Sequence, residues 1–201
     1  MNVLIVAKTK LGYGVCVGAL DANQQSLRLY ERGWRFPAAT TSYEIGQLWA
    51  MELEYKQDTE PPHVEDTLVL SRRLIRDVGN LKRYLLARIE PWTGPITDLF
   101  DGRLGFTGSG RGYIQRPRLP SRSTWFWLPD APLTAKRNGK GKVYYSYRDQ
   151  YEISYVGVAD AIETIPTSAL VRVSLARWWK PPDAGEDFPQ RCYLQISGWY
   201  L

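Results

Sequence analysis

The sequence predicts a mainly β protein, built as two small β units with a single helix between or across them. Apolar and polar residues alternate with period 2 in many short runs. These runs are rich in Val, Ile, Tyr and Trp and are parted by Gly, Pro, Asn and Asp. Only one stretch has helical spacing, near the middle of the chain, with about five short strands on either side, and several short strands parted by turns favour barrels or sandwiches.

In chain order, the first strands fall at residues 3–7, 14–20, 26–30, 47–55 and 67–70, where branched and aromatic side chains alternate with polar ones. The helix follows in RDVGNLKRYLLARIEPW. Leu81, Leu85 and Ile89 recur four residues apart, Asp77 is the expected N-cap, and Pro91 ends the pattern. Residues 101–142 read as loop-rich because glycine and proline punctuate them, with Trp125-Phe126-Trp127 as an anchor to a core and KRNGKGK as a hairpin turn. The later strands fall at 124–128, 143–147, 152–159, 169–175 and 191–200. The division that follows is 1–76 as a first β unit, 77–100 as helix and connection, and 101–201 as a second β unit carrying a basic, loop-rich insertion.

Hydrophobic residues make up 44% and charged residues 23% of the 201, the balance of a globular protein with a core. The apolar runs near the N-terminus are short and broken by Lys8, Lys10 and glycines, so neither reads as a signal sequence or a membrane span, and a cytoplasmic protein is expected. Cys16 and Cys192 each sit in an apolar alternating run, as buried thiols do. With no CxxC pair and only one histidine, His63, no zinc cluster is expected, and no cofactor.

The net charge of +5 is unevenly spread. Residues 1–102 hold 12 Lys and Arg against 13 Asp and Glu, residues 103–148 hold 10 against 1, and residues 149–201 hold 4 against 7, giving −1, +9 and −3. The whole basic excess therefore sits in one segment. Within it, Arg111, Arg116, Arg118, Arg122, Lys136, Arg137, Lys140 and Lys142 are interleaved with Tyr113, Trp125, Trp127, Tyr145 and Tyr147. Cations for phosphates and aromatic faces for bases form the footprint of a single-strand binder, each stacked base being worth roughly 1–3 kcal/mol. The other reading makes the cations a solvated face and the aromatics core.

Three further features bear on chemistry. GSGRG at 108–112 resembles a phosphate-cradling loop, but it lacks the Lys-Ser/Thr ending and a following helix, so a surface turn is expected. His63 lies among Glu60, Glu65 and Asp66 with no nucleophile elbow or metal motif, and reads as an exposed loop histidine. Glu52 and Glu54 share the polar side of a strand and lack a third ligand. No catalytic residue is assigned, and the protein is expected not to be an enzyme.

In VRVSLARWWKPP, residues 171–182, the alternation points Val171, Val173 and Leu175 inward; carried forward it turns Arg177 and Trp179 inward and Trp178 outward. Asp183, Glu186 and Asp187 follow as ion-pair partners for Arg177. The cluster could be a surface for stacking bases or the structural closing strand of the second unit; the second reading is favoured, since adjacent large aromatics are seldom left exposed, with Trp178 the ring left open to the first.

LVRVSLARWW at 170–179 and RCYLQISGWYL at 191–201 resemble the ending of a bacterial family, the dual OB-containing domain. VLIVAKTKLGYGVCVGAL at 3–20 and TDLFDGRLGFTGSG at 97–110 are similar to other blocks of that family. The resemblance spans nearly the whole chain and implies two small OB-like β-barrels and a nucleic-acid-recognising role in bacterial conflict or anti-phage defence, with no catalytic residue to carry over. The function expected is a non-catalytic nucleic-acid-binding module for single-stranded DNA or RNA. The alternatives are a protein-interaction or sensor scaffold whose basic loop contacts an acidic partner from the same system, and a nucleotide-responsive switch.

Overall fold

The computed structural model describes all 201 residues. Five strands make the first unit: β1 (Asn2–Lys10), β2 (Val15–Asp21), β3 (Ser26–Tyr30), β4 (Gln47–Tyr55) and β5 (Asp66–Asp77). They close into a barrel in the order β1-β2-β3-β5-β4, with β3 and β5 parallel and the other pairs antiparallel. Val3, Ile5, Val17, Ala19, Leu27, Leu29 and Met51 are buried in it. Register shifts between Ile5 and Ala7 in β1, and opposite Leu48/Trp49 and Glu52/Leu53 of β4, where β5 carries the extra residues Ile75 and Leu70, supply the local bends that closure requires. β5 is longer than expected, because Arg72 and Arg73 interrupt the alternation while their backbone still pairs with Met51 and Ala50.

The helix α1 (Leu81–Leu86) is capped by Asn80, whose side chain accepts from the Arg83 amide at 2.8 Å. Asp77 is not the cap: it ends β5, and Gly79, at φ +68°, turns the chain before the helix begins. The chain divides at Glu90, with Met1–Glu90 and Tyr200 in one unit and Pro91–Trp199 and Leu201 in the other. The helix therefore belongs to the first unit.

Ten strands form the second unit: β6 (Trp92–Gly94), β7 (Gly105–Phe106), β8 (Gly112–Ile114), β9 (Thr124–Pro129), β10 (Leu133–Arg137), β11 (Val143–Tyr147), β12 (Tyr151–Tyr155), β13 (Thr164–Ile165), β14 (Leu170–Leu175) and β15 (Cys192–Tyr200). Their order is β13-β10-β11-β12-β15-β14-β9-β6, with β8 attached to β15 and β7 to β8. The chain is thus mainly β, a closed five-strand barrel plus a large sheet, as dual OB architecture implies. The segment expected as loops holds β7 and β8, which are too short for periodicity to detect, and β10, whose LTAKR offers only Leu133 and Ala135 as an apolar face.

The core of the second unit gathers Ile114, Trp127, Tyr145, Tyr147, Ile153, Val171, Val173, Cys192, Leu194 and Ile196. Its large rings can be buried because their polar ends are satisfied. Trp127 Nε1 donates to the Gly94 carbonyl at 2.8 Å, the Tyr145 hydroxyl to the Ile162 carbonyl at 2.9 Å, and the Tyr147 hydroxyl to Asp130. Burial pushes Tyr145 and Tyr147 up to about 12, with the Asp130 carboxylate adding to the rise at Tyr147.

Candidate nucleic-acid interface

The structure separates the two halves of the expected footprint. Trp125, Trp127, Tyr145 and Tyr147 are buried, Trp127 completely, so these rings offer no open face to a base. They are core instead of stacking platforms, because β9 is buried on both faces and β11 turns Tyr145 and Tyr147 inward. Arg122 is half-buried and lies 4.1 Å from the Trp125 ring centroid.

The remaining cations fall into two groups. Lys136, Arg137, Lys140 and Lys142 belong to the β10–β11 hairpin, where Lys136 pairs with Asp149 at 3.0 Å and Arg137 donates to the Gly141 carbonyl. The turn is held by Asn138, which accepts from the Lys140 and Lys142 amides at 3.0 Å, as the NG signal foretold. Arg116 and Arg118 lie on the loop after β8, and Arg111 at its start pairs with Glu152 at 3.6 Å. Register places these groups at opposite ends of the sheet. Ile114 pairs with Cys192, so Arg116 lies beyond the start of β15, whereas Tyr144 pairs with Ser154 and Ser154 with Gln195, so Lys142 lies level with Ser197, toward the other end of that strand. The offset is roughly 20 Å at ~3.3 Å per residue. One ligand groove along the entire 103–148 segment is therefore not what the fold builds.

The Arg116 end joins Tyr113 of the segment to aromatics from outside it. β8 and β15 run antiparallel, and their inward residues Ile114, Cys192 and Leu194 belong to the core. The opposite face carries Tyr113, Gln115, Arg191 and Tyr193, none of them fully buried. Arg191 stacks over Tyr113 at 4.0 Å and Phe188 at 4.9 Å, and its Nε donates to the Gln115 side chain at 3.3 Å. Tyr113 lies against Gly105 of β7, where a Cβ would sit 2.9 Å from the ring, so a glycine is what admits it.

The Arg-Trp-Trp stretch completes this face. The parity expected there fails because β14 ends at Leu175 and Ala176 swings across to donate to the Tyr193 carbonyl at 2.8 Å. Trp179 and Arg191 then exchange amide hydrogen bonds of 3.0 and 2.9 Å. Arg177 is exposed, Trp178 packs on the core beside Arg116, 5.2 Å away, and Trp179 is 49% exposed with its ring 6.0 Å from Tyr193. Tyr193 in turn lies 6.2 Å from Tyr113. The result is a row of rings, Trp179, Tyr193 and Tyr113, with Arg191 stacked on Tyr113, Arg116 over the neighbouring Trp178, and Arg118 and Arg177 exposed on the segments that carry them. Sequence reasoning weighs the Arg-Trp-Trp stretch as a base-stacking surface but favours a structural role, and it does not join Trp179, Tyr193 and Arg191 to Tyr113 and Arg116; the amphipathic alternation of β15 is the available signal. The acids Asp183, Glu186 and Asp187 are exposed on the loop between Trp179 and Arg191, which leaves the Arg116–Arg118 side as the more favourable approach for phosphate.

The other candidate sites resolve simply. GSGRG is a tight turn between β7 and β8: the Gly110 amide donates to the Thr107 carbonyl and the Arg111 amide to Thr107 Oγ1, so these two donors are spent inside the turn. His63 is not exposed but 1% accessible, beside the buried Arg28–Glu65–Asp66 group, with Glu65 and Asp66 2.5 and 3.0 Å from the guanidinium. Burial opposes the charge on Arg28, and Glu65, Cys16 and Asp66 more than offset it, raising its pKa. No helix is long and apolar enough to cross a membrane. Residues 1–199 match the family model described as the dual OB-containing domain. No curated protein and no solved structure matches the chain.

Proposed function

The chain belongs to the dual OB-containing domain family, and from that premise we propose that it is a non-catalytic, cytoplasmic module that binds single-stranded DNA or RNA on the outer face of β8 and β15. The observation that supports this most is the convergence of Trp179, Tyr193, Tyr113 and Arg191 on one partly open surface, with Arg116 against the adjacent Trp178. Rings of this kind stack bases of any identity, while arginines take the phosphates. OB-type barrels bind oligonucleotides and oligosaccharides, and the basic surroundings favour the former. Work within a bacterial defence or conflict system is part of the same proposal and rests on the family resemblance.

The test is fluorescence anisotropy of labelled single-stranded oligonucleotides against the full chain. Binding that weakens as salt rises, and that falls about tenfold or more in Trp179→Ala, is expected. Equal affinity in wild type and variant would remove the proposed face.

One observation favours a second role, for the other basic group. The hairpin tip carries Arg137, Lys140 and Lys142, all exposed, a surface suited to an acidic segment of a partner protein. Affinity capture from the host followed by nuclease distinguishes the two: a partner retained after nuclease, and lost when the tip is neutralised, supports it.

A further inference from the structure

We propose that the first barrel carries its own single-strand contact, a base-stacking platform on the turn after β3, separate from the face on β8 and β15. This rests on the nucleic-acid reading above but on different residues. The turn spans Glu31 to Arg35, whose backbones are joined by amide hydrogen bonds of 2.8 and 3.3 Å. The three residues between include Gly33 at φ +75° and Trp34 at φ +56°. For glycine that conformation is ordinary. For tryptophan it is strained, and such strain persists only where the surroundings impose it, most often at functional positions.

The strain here serves to present the ring. Trp34 and Phe36 are each 37% exposed, and both lean on Tyr30, with centroids 5.8 and 4.7 Å away. A stability role alone would bury them, since each large ring contributes through the area it removes from water. Lys56 Nζ lies 6.0 Å from the Trp34 centroid, and Arg32 and Arg35 are exposed on the same turn. Glu31, the acid within the turn, is held by Arg72 at 3.2 Å. The neighbouring β1–β2 loop is docked onto the segment through Gly14, whose φ of +92° brings the Val15 amide to the Pro37 carbonyl at 3.0 Å. That loop carries Tyr13 with 95% of its surface open. Exposed rings in this density, with three cations around them, match a strand-binding platform: bases on Trp34 and Phe36, phosphates on Arg32, Arg35 and Lys56.

Trp34→Gly separates binding from folding, because it removes the ring and relieves the strained φ at once. The thermal midpoint should hold, and affinity for a labelled single strand long enough to span several bases should fall about fivefold or more. Arg32→Ala with Arg35→Ala should instead lower the dependence of log K on log salt. Photocrosslinking of the full chain to a 4-thiouridine oligonucleotide, mapped by peptide mass spectrometry, distinguishes this site from the other. Crosslinks in peptides holding Trp34 or Phe36 support the platform. Crosslinks confined to peptides holding Tyr113, Trp179 or Tyr193 would overturn it while leaving the proposed function standing, and unchanged affinity in Trp34→Gly would overturn it as well. Absence of binding to any single strand would remove both.

Discussion

Replacing Trp127 with Ala tests whether the aromatics of the basic segment are core or ligand surface. The ring is completely buried, its Nε1 donates to the Gly94 carbonyl at 2.8 Å, and it meets Tyr147 edge-on at 5.6 Å. A tryptophan buries about 150–250 Å², and at ~25 cal/mol per Å² that is roughly 4–6 kcal/mol as an upper bound. Measured truncations of buried Phe and Trp cost about 3–5 kcal/mol, and the Gly94 carbonyl would lose its donor as well. For a unit of this size roughly 4 °C accompany each kcal/mol, so the second unit should melt about 12–20 °C lower. Trp127→Phe, which keeps most of the area and loses the donor, should cost only about 1–3 kcal/mol. The assay is thermal unfolding of the full chain followed by near-ultraviolet circular dichroism, with oligonucleotide affinity measured well below both transitions. Affinity should be unchanged within about twofold while stability falls. A variant that kept its stability and lost binding would refute the core assignment and restore Trp127 to the ligand surface.

Two further outcomes follow from local geometry and from titration. Gly110→Ala should destabilise by roughly 2–4 kcal/mol, because φ is +79° and the new Cβ would lie 2.0 Å from the Gln150 carbonyl oxygen, whereas Gly108→Ala, with open space around it, should be neutral in denaturant titration. Equal tolerance at both positions would indicate a flexible loop and not a packed turn. Burial holds Tyr145, Tyr147 and Tyr155 near 12, above the value of about 10 in the unfolded chain. The folded state thus keeps protons that the unfolded state releases, so stability is intact below about pH 10 and declines as pH rises toward 12. Tyrosinate absorbance should show these phenols ionising together with loss of tertiary structure; titration well before unfolding would contradict their burial.

Most strands were legible because β1 to β4, β11, β14 and β15 each carry an apolar face long enough for alternation to show. What failed had local causes. The helix start was misplaced because Asp77 and Asn80 are both good caps, and only the long pairing of β5 with β4 decides between them. Tyr145 and Tyr147 could equally have been stacking rings or amphipathic core, and their hydroxyl partners, Ile162 and Asp130, lie 17 residues away. His63 followed a proline-led run that reads as surface, yet the buried Arg28–Glu65–Asp66 group draws its loop inward. The candidate face was hidden for the same reason. Trp179, Arg191 and Tyr113 come from three segments, and only the swing of Ala176 toward Tyr193 and the β8–β15 register bring them together. Charge counting merged the Arg116 loop with a hairpin tip at the other end of the sheet, because it carries no information on register.

The proposed function places nucleic-acid phosphates at the Arg116–Arg191 end of the second unit. Its most direct test is the salt dependence of single-strand binding for wild type, for Arg116→Ala with Arg118→Ala, and for Lys140→Ala with Lys142→Ala. Each phosphate contact contributes about 0.7 to the slope of log K against log salt. The arginine pair should lower that slope by roughly 1.4 and weaken binding at every salt concentration, while the hairpin pair leaves it near the wild-type value. A slope unchanged by the arginine pair, or lowered by the lysine pair alone, would contradict the account.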